Sequence, residues 1–91
     1  MIRVYTMENC PYCKELKELY DKEGIEYENV DINLQENEEE SNKVFKVTGV
    51  DSVPIVKVGN QLLAPDVSFT SIEEAFEITK MLLKRGVNPI G

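Results

Sequence analysis

Residues 8–16 read ENCPYCKEL, with two cysteines three positions apart around a Pro-Tyr pair, and the chain contains no other cysteine. What flanks this stretch decides the fold. Upstream, IRVYTM (Ile2 to Met7) is β-branched or aromatic, with Ile2, Val4 and Thr6 on one face, and reads as a strand. Downstream, from Pro11 to about Glu23, Cys13, Leu16, Leu19 and Tyr20 recur at three- and four-residue steps. That is the period of a helix with one buried face, and Gly24 stops it. The cysteines therefore sit at a strand-to-helix junction, with Pro11 suited to the first helical position.

Working outward, IEYENVDI (Ile25 to Ile32) alternates and predicts a second strand. The acidic run QENEEE (Gln35 to Glu40) leads into a second helix, about Glu38 to Lys46, apolar at Val44 and Phe45 and ended by Gly49. VPIVKV (Val53 to Val58) predicts a third strand, Gly59-Asn60 a hairpin turn, and QLLA a short fourth strand. Ser71 opens the last helix, SIEEAFEITKMLLKRG, with a capping box expected between Ser71 and Glu74. Its inward stripe is Ile72, Ala75, Phe76, Thr79, Leu82 and Leu83, and Lys84-Arg85-Gly86 closes it. The order β-α-β-α-β-β-α predicts an α/β fold. The first two strands lie parallel through a right-handed crossover and the last two form an antiparallel hairpin. The expectation is a four-stranded mixed sheet flanked by three helices.

A chain of 91 residues fits one domain, here residues 1–91, and its 42% hydrophobic content supports a globular reading. No apolar run approaches the ~20 residues needed to span a bilayer, and the opening residues lack a signal-peptide pattern. The expected location is the cytoplasm, where thiols are kept reduced. The net charge of −7, from 17 acidic and 10 basic residues, repels nucleic acid and anionic membranes as partners. The acidic run itself reads as a solvated helix N-terminus, where carboxylates complement the helix dipole, with an acidic docking surface for a basic partner as the alternative.

Three roles are open to the cysteine pair. As a structural staple it closes a very short loop, which constrains the unfolded chain little, and a reducing compartment tends to open it. As a structural metal clasp it lacks ligands, since such a zinc site takes four Cys or His and the chain has no histidine. As a redox pair it has a mechanism. A C-x-x-C after a strand and at a helix start, in a βαβ pattern, is the signature of a thioredoxin-like site. With Pro11 at the first helical position, Cys10 falls at the N-cap, where unpaired backbone N–H groups and the positive end of the dipole favour its thiolate. Cys13, one turn further in on the apolar stripe, is less exposed. The division of labour follows: Cys10 attacks and Cys13 resolves. Lys14 either adds positive charge nearby or is a solvated helix lysine.

With CPYC after VYTMEN, and with this element order, the chain resembles the dithiol glutaredoxins from Arg3 to about Arg85. Thioredoxins usually carry Trp-Cys-Gly-Pro-Cys instead, and this chain has no tryptophan. SVPIV is similar to the family's Thr-Val-Pro, so the resemblance implies a cis Val53–Pro54 bond, whereas a bare X-Pro bond is cis only ~5–6% of the time. It further implies that the backbone of Val53 pairs with an extended substrate, and that Pro11 and Tyr12 flank a bound glutathione. Two positions depart from the family. Met7 stands where glutaredoxins often have a lysine, and LLAPDVSFTS stands where they usually have Gly-Gly followed by aspartate, with Asp66 the matching acid.

The function implied by the resemblance is glutathione-dependent reduction of protein disulfides or glutathione mixed disulfides, with Cys10 and Cys13 catalytic and no metal. Glutathione serves as co-substrate. The implied partners are disulfide-containing proteins, ribonucleotide reductase among the candidates, and the chain is expected to be a monomer. Three alternatives stand beside it: a redoxin fed by thioredoxin reductase, an iron–sulfur carrier ligated by Cys10 and glutathione, and a catalytically silent adaptor.

Overall fold

Strand β1 (Ile2–Thr6) takes an inner position in the sheet, with every residue but Arg3 buried. The structure is a computed structural model, and it describes residues 2–85. After β1 come α1 (Pro11–Glu23), β2 (Glu28–Asp31), a short 3₁₀ turn (Gln35–Asn37), α2 (Glu38–Thr48), β3 (Ile55–Val58), β4 (Gln61–Leu63) and α3 (Ile72–Lys84). The sheet order is β2-β1-β3-β4. β1 runs parallel to β2, with Arg3 opposite Glu28, and antiparallel to β3, with Tyr5 opposite Ile55. β3 and β4 form the expected antiparallel hairpin, and Gly59 takes the positive φ of 61° that its two-residue turn requires. This is the mixed α/β sheet expected from the element order and the thioredoxin-like arrangement that the resemblance to glutaredoxins implies.

Strand alternation sorts the core into two layers. Ile2, Val4, Val56 and Val58 face Leu16 and Tyr20 of α1 and Ile72, Ala75, Phe76 and Leu82 of α3. On the other side Tyr5, Val30 and Ile55 meet Val44 of α2. A buried hydrogen bond of 2.8 Å joins Tyr20 of α1 to Thr79 of α3. The Thr79 hydroxyl already donates to the Ala75 carbonyl at 2.8 Å, so the Tyr20 hydroxyl is the donor.

Several boundaries differ from the sequence-based expectation, each for a physical reason. The second strand begins at Glu28 rather than Ile25, because the Ile25 N–H is bonded to Tyr20 O at 2.9 Å, closing α1 behind left-handed Gly24. The third begins at Ile55 rather than Val53, since Pro54 has no N–H to give a ladder. Leu83, expected on the inward stripe, is 40% exposed on the last turn of α3, where the helix is leaving the core. Gly86 lies outside the described residues. The capping box is half realised: the Ser71 hydroxyl accepts from Glu74 N at 3.1 Å, but the Glu74 carboxylate accepts from Thr70 N at 2.6 Å instead of Ser71 N.

The acidic run also splits. Glu38 and Glu39 are solvated in the first turn of α2, as expected, whereas Glu40 turns toward the sheet. Arg3 donates to its two oxygens at 2.7 and 2.9 Å and also pairs with Glu28. Tyr5 donates to Glu40 at 2.6 Å. Burial, and then the bond to Glu40, push the Tyr5 hydroxyl up to about 12. Burial raises the Glu40 carboxyl, but bonds from Arg3 and Tyr5 and the nearby positive charges outweigh it and hold the group below the usual carboxylate range. A carboxyl whose folded value lies below its unfolded one contributes stability at neutral pH and loses it as pH falls through the folded value. Glu40→Gln is expected to cost about 1 kcal/mol at neutral pH, the upper end for a partly exposed pair. The difference from the wild type should vanish on acidification, as read by urea unfolding at a series of pH values.

Candidate active site

The chain leaves β1 at Thr6 and turns through Met7–Asn9, where Asn9 adopts a left-handed φ of 62°, a conformation its short polar side chain tolerates. This turn delivers Cys10 to the N-cap of α1 with extended backbone, φ −102° and ψ 104°, and puts Pro11 at the first helical position. The Cys10 sulfur accepts the Cys13 backbone N–H at 3.1 Å. A sulfur thus stands where a Ser or Asp oxygen usually caps a helix. Cys10 and Cys13 are joined as a disulfide, with their Cα atoms 5.2 Å apart.

The two sulfurs have unequal surroundings. Cys10 is partly exposed, whereas Cys13 is 1% exposed on the inward face of α1. Amides at a helix start favour an anion on the first sulfur, and burial disfavours one on the second. Lys14 is exposed on α1 and its backbone N–H donates to Cys10 O at 3.1 Å.

The Val53–Pro54 peptide is cis, as the resemblance implies, and it lies against this corner. The Val53 carbonyl oxygen is 4.0 Å from the Cys10 sulfur. Beside them opens a groove of about 620 Å³. Tyr12 and Glu15 of α1 form one wall, Val53 and Pro54 another, and Pro65, Asp66 and Phe69 come from the loop after β4, with Thr70 to Glu73 at the start of α3. Tyr12 is 63% exposed, so a ligand in the groove meets its ring directly. The structure therefore brings Tyr12, Val53, Pro54 and Asp66 to one groove and leaves Pro11 exposed at its helix start. Asp66 takes a left-handed φ of 63° in a turn closed by its N–H to Phe69 O at 2.8 Å.

Sequence reasoning missed Glu15, Phe69 and Glu73 as lining residues. Glu15 follows Tyr12 by three positions and so shares its helix face, a signal present in the sequence. Nothing local foretold Phe69, which depends on the loop fold.

Comparisons with known proteins place the chain as a whole. The family model described as Glutaredoxin matches residues 2–63. Glutaredoxin 1 of Rickettsia prowazekii is 28% identical over 81 residues, covering 89% of this chain and 85% of that protein. An uncharacterized glutaredoxin-like 8.6 kDa protein in the rubredoxin operon of Clostridium pasteurianum is 25% identical over 63 residues, 69% of this chain and 81% of its own. Among solved structures, a buckwheat glutaredoxin–glutathione complex superposes with a TM-score of 0.70 at 20% identity, covering 96% of this chain and 80% of that one. A glutaredoxin of Archaeoglobus fulgidus gives 0.66 at 26% identity, with 91% and 85% covered.

The unequal sulfurs make a direct prediction for the reduced protein. Iodoacetamide should label Cys10 well before Cys13, and the pH midpoint of Cys10 labelling should lie below the ~8.5 of an ordinary thiol. Peptide mapping of briefly treated protein reads both; equal labelling, or a midpoint at or above the ordinary value, removes the asymmetry.

Proposed function

The chain belongs to the glutaredoxin family, and from that premise we propose that it is a dithiol thiol–disulfide oxidoreductase that draws its electrons from glutathione. The observation that carries this reading is the Cys13 N–H directed at the Cys10 sulfur at the start of α1, with Cys13 buried behind it. The Cys10 thiolate attacks one sulfur of a protein disulfide or glutathione mixed disulfide, and the displaced sulfur leaves and takes a proton. Cys13 loses its proton and attacks Cys10, expelling the substrate and closing the Cys10–Cys13 disulfide. Two glutathione thiols then restore the dithiol and become glutathione disulfide.

In this reading Val53 offers its backbone to an extended substrate, Pro54 and Pro11 shape the two loops beside the sulfurs, Tyr12 lies along the tripeptide, and Asp66 meets its ammonium. Protein disulfides are the substrates and the compartment is the cytoplasm. A second reading has electrons arriving from thioredoxin reductase. It is favoured by Met7 at the position of the family's lysine and by the groove's lining, which among the described residues includes three carboxylates and no cation. Glutathione carries two carboxylates, and this lining gives them no charged partner.

A coupled assay on a glutathione mixed disulfide tests the proposal, with glutathione and its reductase in one arm and thioredoxin reductase in the other. Wild-type turnover is expected in the first arm. Cys10→Ser should fall to background, and Cys13→Ser should keep part of the deglutathionylation rate, a second glutathione replacing the resolving thiol. Turnover confined to the second arm transfers the function to the second reading.

A further inference from the structure

We propose that the groove beside Cys10 selects polypeptide disulfides of positive charge, through the carboxylates of Glu15, Asp66 and Glu73; this rests on the reading that Cys10 and Cys13 exchange disulfides. The three carboxylates come from α1, the loop after β4 and the start of α3, so it is the fold and not a run of sequence that brings them to one groove. All three residues are exposed, and no lysine or arginine is among the described residues that line the groove. Glu74, next to Glu73, is spent on capping Thr70 through its backbone N–H and hydroxyl. The chain's net charge of −7 adds a long-range field of the same sign.

The groove also has features that suit a polypeptide over a small cation. Exposed Tyr12 and the buried ring of Phe69 offer apolar contact on the walls. Val53 lies outside the sheet ladder, which begins at Ile55, with its carbonyl oxygen beside the Cys10 sulfur. A substrate backbone extended past that point pairs as an added strand, while cationic side chains on either side of its cysteine reach the carboxylates.

The redox step balances without a further reactant. The Cys10 thiolate bonds to one sulfur of the peptide disulfide, and the other leaves and is protonated. Cys13 gives up its proton and displaces the first peptide sulfur from Cys10. Two electrons pass from the Cys10–Cys13 dithiol, which becomes a disulfide, to the peptide disulfide, which becomes two thiols.

The test is a single-turnover measurement on the full-length reduced protein. Two peptides with the same internal disulfide, one flanked by arginines and the other by glutamates at the same positions, are compared with neutral hydroxyethyl disulfide. The arginine peptide is expected to react about tenfold faster than the glutamate peptide at low salt, within the range electrostatic steering supplies. High salt should bring the ratio toward one. Glu15→Gln combined with Glu73→Gln should reduce the ratio several-fold, and Glu15→Lys alone should move it in the same direction. Equal rates for the two peptides, or a ratio that neither variant changes, overturns the inference whenever hydroxyethyl disulfide is still reduced. Failure to reduce any of the three disulfides overturns the oxidoreductase reading itself, and the inference with it.

Discussion

The Cys13 amide pointing at the Cys10 sulfur is the contact on which the site depends. A helix start leaves its first backbone N–H groups without intrahelical partners, and a side chain at the N-cap normally supplies an oxygen to one of them. Here the capping atom is the Cys10 sulfur, the nucleophile of the proposed exchange. Pro11, having no N–H, removes one of the orphan donors at no cost to the helix. The same geometry therefore serves two purposes. It satisfies the helix, and it holds the sulfur where negative charge is most favoured. On the proposed reading, the fold of α1 is also what favours the Cys10 thiolate.

That arrangement needs a platform on each side of the sheet. On one face the bond between Tyr20 and Thr79, with the Phe76 ring 6.1 Å from the Tyr20 ring, sets α1 against α3. The groove runs between the beginnings of those two helices. On the other face the bidentate contact of Arg3 with Glu40 holds α2 over β1. The chain leaves α2 through left-handed Gly49 and reaches Val53 four residues later, so the placement of α2 bears directly on where that carbonyl meets Cys10. Residues 10 and 53 are far apart in sequence, and each is brought to the corner by a different layer.

Much of this was legible in the residues. Two-residue alternation in IRVYT and three- to four-residue spacing from Cys13 to Tyr20 placed the first strand and helix on either side of CPYC. The topology followed from the order of elements. What the residues did not disclose were choices between competing partners. The Ile25 amide was expected to pair in a strand and instead completes the end of α1. Glu40 was read as one of six solvated positions, yet Arg3, 37 residues earlier, lies opposite it in the fold. Glu74 was assigned to Ser71 and takes Thr70 instead. Leu83 has the right helical phase for the core, but phase says nothing about where the neighbouring layer ends. Asp66 was legible through the resemblance and Glu15 through its spacing from Tyr12, but their meeting with Glu73 in one groove was not, since the three belong to separate elements.

A disulfide used as a reagent has to open and close without taking the fold with it, and two features meet that demand. The loop it closes is so short that the chain-entropy contribution to stability is small, so oxidised and reduced proteins differ little in the freedom of their unfolded chains. Neither cysteine belongs to the two apolar clusters, although Cys13 is buried. Those clusters rest on strand residues, Tyr20, Leu16 and the stripe of α3, all of which make their contacts whatever the state of the sulfurs. The apolar core thereby persists in both states of the sulfurs. A staple gains by closing a long loop; this pair closes a short one, with Cys10 partly exposed where an incoming disulfide can reach it.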